Sequence, residues 1–146
     1  MTRCGRLSFA NTNELPPTSC ALVIVGEDYG EGSSIIQERT HAIAMKSQLW
    51  LLDPRPDLQL IVDMVEKGFE LSEASNTPVL MELRIRVCHM TGAFTARDNR
   101  QPHFNLNNVI PEPVFHKDRI SLPPATYVQE KLKVDVRWPA ALKFIA

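Results

Sequence analysis

The sequence predicts an α/β protein, a three-layer αβα arrangement around a parallel sheet. Residues 20–25, CALVIV, form a short unbroken apolar run, which is typical of a strand covered on both faces. Residues 58–75 carry apolar side chains at helical spacing. Residues 79–88 alternate apolar and polar side chains, as a strand does. The order strand, helix, strand, helix, strand then favours right-handed crossovers between parallel strands.

The composition is that of an ordinary globular protein. The chain has 146 residues, 44% of them apolar and 23% charged, and a formal net charge of -1. Such a charge gives no electrostatic basis for binding nucleic acid or an anionic membrane. No apolar run approaches the roughly 18 residues of a membrane span. We also find no apolar signal region, and three scattered cysteines favour a reducing compartment, so we expect a cytoplasmic protein.

The first half of the chain predicts a strand, a loop, a helix and a second strand. The loop covers residues 26–32 and is rich in glycine and acids. A helix is predicted to begin at Ser34, because Ser34 and Gln37 have the spacing of a capping box. Residues 49–52 predict a short strand. The apolar positions of the helix are Ile35, Ile36, Ala42, Ile43 and Met45.

The clearest element is the helix that enters after Asp57 and ends near Ser75. Asn76 tolerates a left-handed cap, and Pro78 cannot continue a helix. The apolar face consists of Leu58, Ile61, Val62, Val65 and Phe69.

The strand predicted at residues 79–88 has one apolar and one charged face. Met81, Leu83, Ile85 and Val87 point one way, and Glu82, Arg84, Arg86 and Cys88 point the other. In a fully covered parallel sheet both faces are apolar. We therefore expect an incomplete sheet that is finished by other polypeptide.

Three regions are predicted. Residues 1–19 form an N-terminal extension, residues 20–92 a partial α/β domain, and residues 93–146 an extended connector with a C-terminal helix. That last helix begins at Pro123-Pro124 and is predicted to end at Trp138-Pro139. Its apolar face would hold Val128, Leu132 and Val136, which need a surface to dock on.

The loop after the first strand matches none of the common phosphate or nucleophile motifs. A dinucleotide fingerprint fails because Ile35 stands where its third glycine belongs. The chain also lacks the Gly-Lys-Ser/Thr of a phosphate loop and the G-x-S-x-G of a hydrolase elbow. A phospho-acceptor domain would need an aspartate after the third strand, where this chain has Arg-Val-Cys-His. A ligand or partner site and a tight turn with solvated acids both remain open for this loop.

No metal ligands or catalytic residues are predicted from spacing. The histidines at positions 41, 89, 103 and 116 show no ligand spacing with cysteines or acids, and no C-x-x-C is present. We expect these histidines to be surface or structurally satisfied residues.

Two stretches resemble the alpha subunit of indolepyruvate ferredoxin oxidoreductase, a thiamine-diphosphate-dependent 2-oxoacid oxidoreductase. They are LVIVGEDYGEGSSIIQERTHAIA and LWLLDPRPDLQLIVDMVEKGFELSEASNTPVLMELRIRVCHMTG. The similarity is close over residues 20–92, weaker to the C-terminus and poor over residues 1–19. It implies a fragment of the pyrimidine-binding domain of a thiamine-diphosphate-binding fold.

The resemblance implies two groups of site residues. Asp28, Tyr29, Ser33 and Ser34 occupy the family's loop positions and are expected near the cofactor cleft. Arg86 and His89 match the family's arginine and histidine. The arginine could bind a 2-oxoacid carboxylate or form a structural ion pair with an interface acid, and we favour the ion pair.

Much of the family's machinery has no counterpart here. The glutamate that activates the aminopyrimidine, the Gly-Asp-Gly metal motif and the cluster cysteines find no matching segment. The resemblance thus implies thiamine diphosphate, magnesium and iron–sulfur clusters in a complete enzyme, and no cofactor on this chain alone. It implies remaining oxidoreductase domains or subunits as partners, ferredoxin indirectly, and a homo-oligomer. A non-catalytic interaction or scaffold module derived from the family is the alternative.

Overall fold

The structure is a computed structural model that describes residues 21–28, 39–98, 117, 120 and 122–146. Its sheet has three parallel strands, β1 (Leu22–Glu27), β2 (Trp50–Leu52) and β3 (Val79–Arg84), in the order β1-β3-β2. The expected α/β class with a parallel sheet is confirmed. Across these described ranges, every helix is too short or too polar to cross a membrane.

The first strand extends two residues beyond its predicted end. Gly26 and Glu27 continue the ladder on β3 and pair with Leu83 and Arg84. Glu27 is therefore the last residue of a strand, rather than part of the loop, and it is buried.

The third strand is shorter than predicted. It ends at Arg84, and residues Ile85–Cys88 form a short helical turn, α3, closed by the His89 N–H donating to the Ile85 carbonyl at 3.1 Å. The strand prediction is wrong there because β1 ends opposite Arg84 and the ladder has no further partner. The charged face is also not uniformly exposed, since Glu82 is fully buried while Arg84 is exposed.

The first helix, α1, spans Thr40–Ser47. The predicted start at Ser34 lies outside the described residues. Thr40 and Ala44 form its buried side, and Ala42, Ile43 and Met45 are exposed. The predicted apolar face is thus wrong for these three residues, because the helix contacts the sheet through small and polar side chains.

The second helix, α2, spans Leu58–Ser75, as the sequence predicts. The Asp57 carboxylate accepts the Leu60 N–H at 2.8 Å and caps its start. Asn76 closes its end with φ 48°, in the left-handed region. The helix packs tightly on the sheet at Gly68, where an added Cβ would lie 2.9 Å from Leu22 Cδ1.

The C-terminal helix does not stop at Trp138-Pro139. Helix α4 (Ala125–Leu132) runs through a π-helical segment (Lys133–Arg137) into α5 (Trp138–Ile145). Proline lacks an N–H and its ring clashes with the preceding turn of an α-helix. The wider turn just before Pro139 accommodates that ring, so the helix continues.

The main core lies between α2, α5 and one face of the sheet. Leu71, Val79 and Ala141 are buried together, with Leu22, Trp50 and Leu52 packed around them. The Trp138 ring lies 5.3 Å from the Trp50 ring, at a tilted angle of 58°. The C-terminal helix thus docks on this chain's own core through α5, whereas Val128 and Val136 on the predicted face are exposed.

The connector after β3 begins as an extended segment along α2. Residues 91–98 have no regular structure and are exposed. The Thr95 N–H donates to Gln59 Oε1 at 2.8 Å, and Arg97 contacts Glu66 at 2.6 Å. Residues 99–116 of the predicted connector lie outside the described residues.

Truncating the core residue Leu71 to alanine should reduce the free energy of unfolding by about 2–5 kcal/mol, because the cavity opens where three elements meet. The matched control is Leu122→Ala, since Leu122 is 63% exposed and its truncation should stay within about 0.5 kcal/mol. Urea unfolding followed by circular dichroism measures both. Equal losses in the two variants would contradict the described core.

Candidate functional site

Five charged or titratable side chains meet at the carboxyl ends of the strands, where open α/β sheets usually bind their ligands. We call them the carboxyl-edge cluster: Glu27, His41, Asp53, Glu82 and Arg84. They come from β1, α1, the residue after β2, and β3. The strand register explains the meeting, because Val25 pairs with Glu82 and Glu27 with Arg84, so both glutamates lie on one face.

Glu27 is bound by the start of α1 through one of its carboxylate oxygens. Its Oε1 accepts the backbone N–H of Thr40, the first residue of α1, at 2.7 Å. A carboxylate at a helix N-terminus is stabilised by the exposed N–H groups and the helix dipole. When both glutamates are ionised, Glu27 Oε2 is buried and receives no hydrogen bond from the described residues.

Glu82 is fully buried, and in its ionised form neither oxygen receives a hydrogen bond from the described residues. Its Oε2 lies 3.0 Å from His41 Nδ1 and its Oε1 lies 3.2 Å from Arg84 Nε. These are ion-pair distances without hydrogen-bond alignment. An ionised carboxylate buried in this way costs free energy, because it has given up hydrogen bonds to water and has not gained an equal number from the protein.

Arg84 and His41 are oriented by a third acid. Arg84 Nη2 donates to Asp53 Oδ2 at 2.7 Å, and His41 Nε2 lies 3.9 Å from the same oxygen. Three carboxylates thus surround one guanidinium and one imidazole. With the imidazole neutral, the cluster carries an excess of negative charge.

The two buried glutamates have opposite pKa shifts. Burial, the hydrogen bond to Glu27 and the nearby charges of Glu27 and Asp53 raise the pKa of Glu82 to about 7, against the opposing charge of Arg84. Burial also acts to raise the pKa of Glu27, but hydrogen bonds from protonated Glu82 and the Thr40 N–H outweigh it and lower that pKa. Near neutral pH, Glu82 can therefore hold a proton that it donates to Glu27.

This arrangement can do two things chemically. It can store and exchange one proton between the buried carboxyls, since the pKa of Glu82 lies in the physiological range. It can also present carboxylate and imidazole atoms to a divalent cation, because one ligand atom from each of Glu27, His41 and Glu82 lies within 4.8 Å of the others.

The residues expected near a cofactor cleft fall only partly within the described chain. Asp28 is half-buried and directly follows β1, beside the carboxyl-edge cluster in sequence. Tyr29, Ser33 and Ser34 lie outside the described residues. Arg86 and His89 are exposed on and just after α3, beyond the end of β3. The guanidinium that contacts the cluster belongs to Arg84, two residues before the predicted arginine.

Four residues of the cluster are not predicted as site residues from the sequence: His41, Glu82, Asp53 and Arg84. They come from three places in the chain, α1, the residue after β2, and β3, so no ligand spacing within one element brings all four together. One signal was present: Glu82 and Arg84 interrupt the face of a strand that must lie in the middle of a parallel sheet. Charge on a central strand indicates a paired polar cluster as readily as an uncovered sheet.

Searches of known protein families, of curated proteins and of solved structures found no significant match to this chain.

Replacing Glu82 by glutamine should make the difference in unfolding free energy between variant and wild type depend on pH. The pKa of Glu82 is higher in the folded chain than the ordinary 4.5, so its stabilising effect is complete below that pH and is lost as the pH rises to about 7. The glutamine side chain keeps a donor for Glu27 and carries no charge. The unfolding free energy of E82Q relative to wild type should therefore increase between pH 4.5 and about 7, by at most about 3 kcal/mol.

Urea unfolding at several pH values, with a chelator present, measures this difference. The control is Glu66→Gln, which removes a half-buried α2 carboxylate paired with Arg97. Its difference from wild type should stay constant within about 0.5 kcal/mol. A pH-independent difference for E82Q would show that the pKa of Glu82 is the same in the folded and the unfolded chain, and would contradict the raised value.

Proposed function

We propose that this chain is one α/β portion of a thiamine-diphosphate-dependent 2-oxoacid oxidoreductase of the indolepyruvate ferredoxin oxidoreductase alpha-subunit type. The complete enzyme would oxidatively decarboxylate indolepyruvate or other aryl-pyruvates to acyl-CoA in the cytoplasm, with ferredoxin as electron acceptor. This portion would belong to the three-layer αβα pyrimidine-binding fold. It would supply a cleft wall and an interface, and be inactive alone.

The observation that carries the proposal is the uncovered edge of the sheet. Val23 and Ile24 are neighbours on β1 and point to opposite faces, yet they are 47% and 54% exposed. An edge strand with apolar residues open on both faces is a template for further polypeptide. Additional domains of a larger enzyme would cover both faces and extend the sheet.

The carboxyl edge is the side on which a cofactor cleft would open. Asp28 leaves β1 there, at the start of the glycine-rich loop that carries the resemblance. The cofactor supplies the carbanion chemistry, and the protein positions it. The Gly-Asp-Gly motif for magnesium and pyrophosphate is not in this sequence, so other polypeptide would hold that end of the cofactor. The same applies to the iron–sulfur clusters.

A non-catalytic interaction module is the second candidate. It is favoured by the exposed apolar residues of the C-terminal helix, which include Tyr127, Val134, Trp138, Leu142 and Ile145. Such an accumulation on one segment is typical of a surface that binds protein. The two candidates differ in whether the assembled complex has activity.

The purified chain alone should not bind thiamine diphosphate with magnesium, whereas a complex with oxidoreductase subunits encoded by neighbouring genes should. Calorimetry measures binding, and reduction of ferredoxin that depends on indolepyruvate and coenzyme A measures activity. An Arg86→Ala complex should retain activity if Arg86 forms an ion pair, and should show a raised KM if it binds the substrate carboxylate.

Micromolar binding of thiamine diphosphate to the isolated chain would contradict the proposal that other polypeptide is needed to hold the cofactor. A complex that assembles but shows neither cofactor binding nor activity would favour the interaction module. Failure to assemble with any such subunit would contradict the oxidoreductase proposal.

The isolated chain should self-associate, because β1 and the C-terminal helix expose apolar surface. Light scattering should give a mass above that of one chain, and Leu142→Lys should lower it by placing a charge among the exposed residues of α5. Met45→Lys, at the 80% exposed Met45 of α1, is the matched control and should not. A monomer at all concentrations would count against this surface being an interface.

A further inference from the structure

The structure assigns a divalent-cation site to Glu27, His41 and Glu82, at the carboxyl edge of the sheet. The ion would be of the zinc, cobalt or manganese class, which accepts both imidazole and carboxylate ligands. The assignment does not depend on the proposed function.

The ligand atoms are close enough for one ion. All three lie within 4.8 Å of one another. Ligands about 2.1 Å from a first-row ion are at most about 4.2 Å apart, so the set must contract by about half an ångström. His41 Nδ1 and Glu82 Oε2, at 3.0 Å, already have the separation of neighbouring ligands on one ion.

The orphaned oxygens point to a ligand independently of the distances. Glu82 is fully buried and Glu27 is 2% exposed. With both groups ionised, Glu27 Oε2 and both oxygens of Glu82 receive no hydrogen bond from the described residues. Buried polar atoms are almost always satisfied, so their clustering indicates that something positive belongs between them.

The outer contacts fit a metal site as well. Glu27 Oε1 is fixed by the Thr40 N–H, which leaves Oε2 to coordinate. Asp53 Oδ2 lies 3.9 Å from His41 Nε2, the ring nitrogen that would not bind the ion; this is an ion-pair distance, longer than the hydrogen bond by which a second carboxylate usually orients a ligating histidine. Arg84 contacts Glu82 Oε1 and leaves Oε2 towards His41. His41 is 52% exposed, so an ion can enter from solvent.

With all three carboxyls ionised, the ion pairs within the cluster do not balance its charge. Glu27, Glu82 and Asp53 would then contribute three negative charges, and Arg84 contributes one positive charge. A divalent ion with neutral His41 would bring this set to neutrality. Among the described residues three ligands are provided, which leaves a coordination position for a further ligand or water.

Titration of the untagged, metal-stripped chain with Co²⁺ and Zn²⁺ tests the site. Wild type should bind one ion per chain with micromolar or tighter affinity, develop the visible absorption of protein-bound Co²⁺, and lose it on addition of Zn²⁺. Mg²⁺, which prefers oxygen ligands alone, should not displace Co²⁺. Bound metal should also raise the unfolding temperature.

Glu82→Gln and His41→Gln should each weaken Co²⁺ binding at least about tenfold. Glu66→Gln and His89→Gln, which change a half-buried glutamate and an exposed histidine outside the cluster, should leave it unchanged. If E82Q does not fold, H41Q decides the question, because His41 is half-exposed and its replacement spares the core.

The assignment would be overturned if the folded wild-type chain did not bind one Co²⁺ ion per chain. It would also be overturned if H41Q bound Co²⁺ as tightly as wild type, or if H89Q lost as much affinity for Co²⁺ as H41Q.

Discussion

The described structure depends on one constraint: the buried carboxyl groups of Glu27 and Glu82 lie close together beside the start of α1. Parallel register brings the end of β1 beside the middle of β3, with both carboxylates on one face. The first N–H of α1 then binds Glu27, and His41 one residue later reaches Glu82. Two buried carboxyls this close cannot both be ionised without a compensating charge, so they must share a proton or a cation. The position of α1 and the polarity of the carboxyl edge follow from that requirement.

The opposite face of the sheet is held by ordinary apolar packing. Leu71 of α2 and Ala141 of α5 pack on Val79, and the tilted Trp50–Trp138 pair joins β2 to the C-terminal helix. Helices α2 and α5 pack on this face, whereas the other face carries the buried glutamates beside apolar residues such as Leu80. Val23 and Ile24 of β1 are exposed at the edge of the sheet. The two proposals follow from this arrangement: the buried glutamates offer a ligand site, and the exposed edge offers an interface.

The strand and helix order could be predicted because each element carries a local signal. The periodicity of α2, its Asp57 cap and its Asn76 end all depend on neighbours in sequence. The end of β3 could not be predicted, because it is set by where β1 stops rather than by the alternation of residues 85–88. The continuation of the helix through Pro139 could not be predicted either. It depends on the wider π-helical turn before Pro139, which the helix propensities of the residues do not reveal. The carboxyl-edge cluster was missed because its residues meet only after β1 and β2 have paired with β3.

The protonation state of Glu82 tests the central claim most directly. Carbon-13 labelling of glutamate carboxyls, with the Glu82 signal assigned by its loss in E82Q, follows each titration by NMR in metal-free protein. The account predicts that the Glu82 carboxyl changes protonation near pH 7, well above the ordinary 4.5. A Glu82 signal that titrates at the ordinary value would show that the carboxyl is solvated, and the buried pair would not exist.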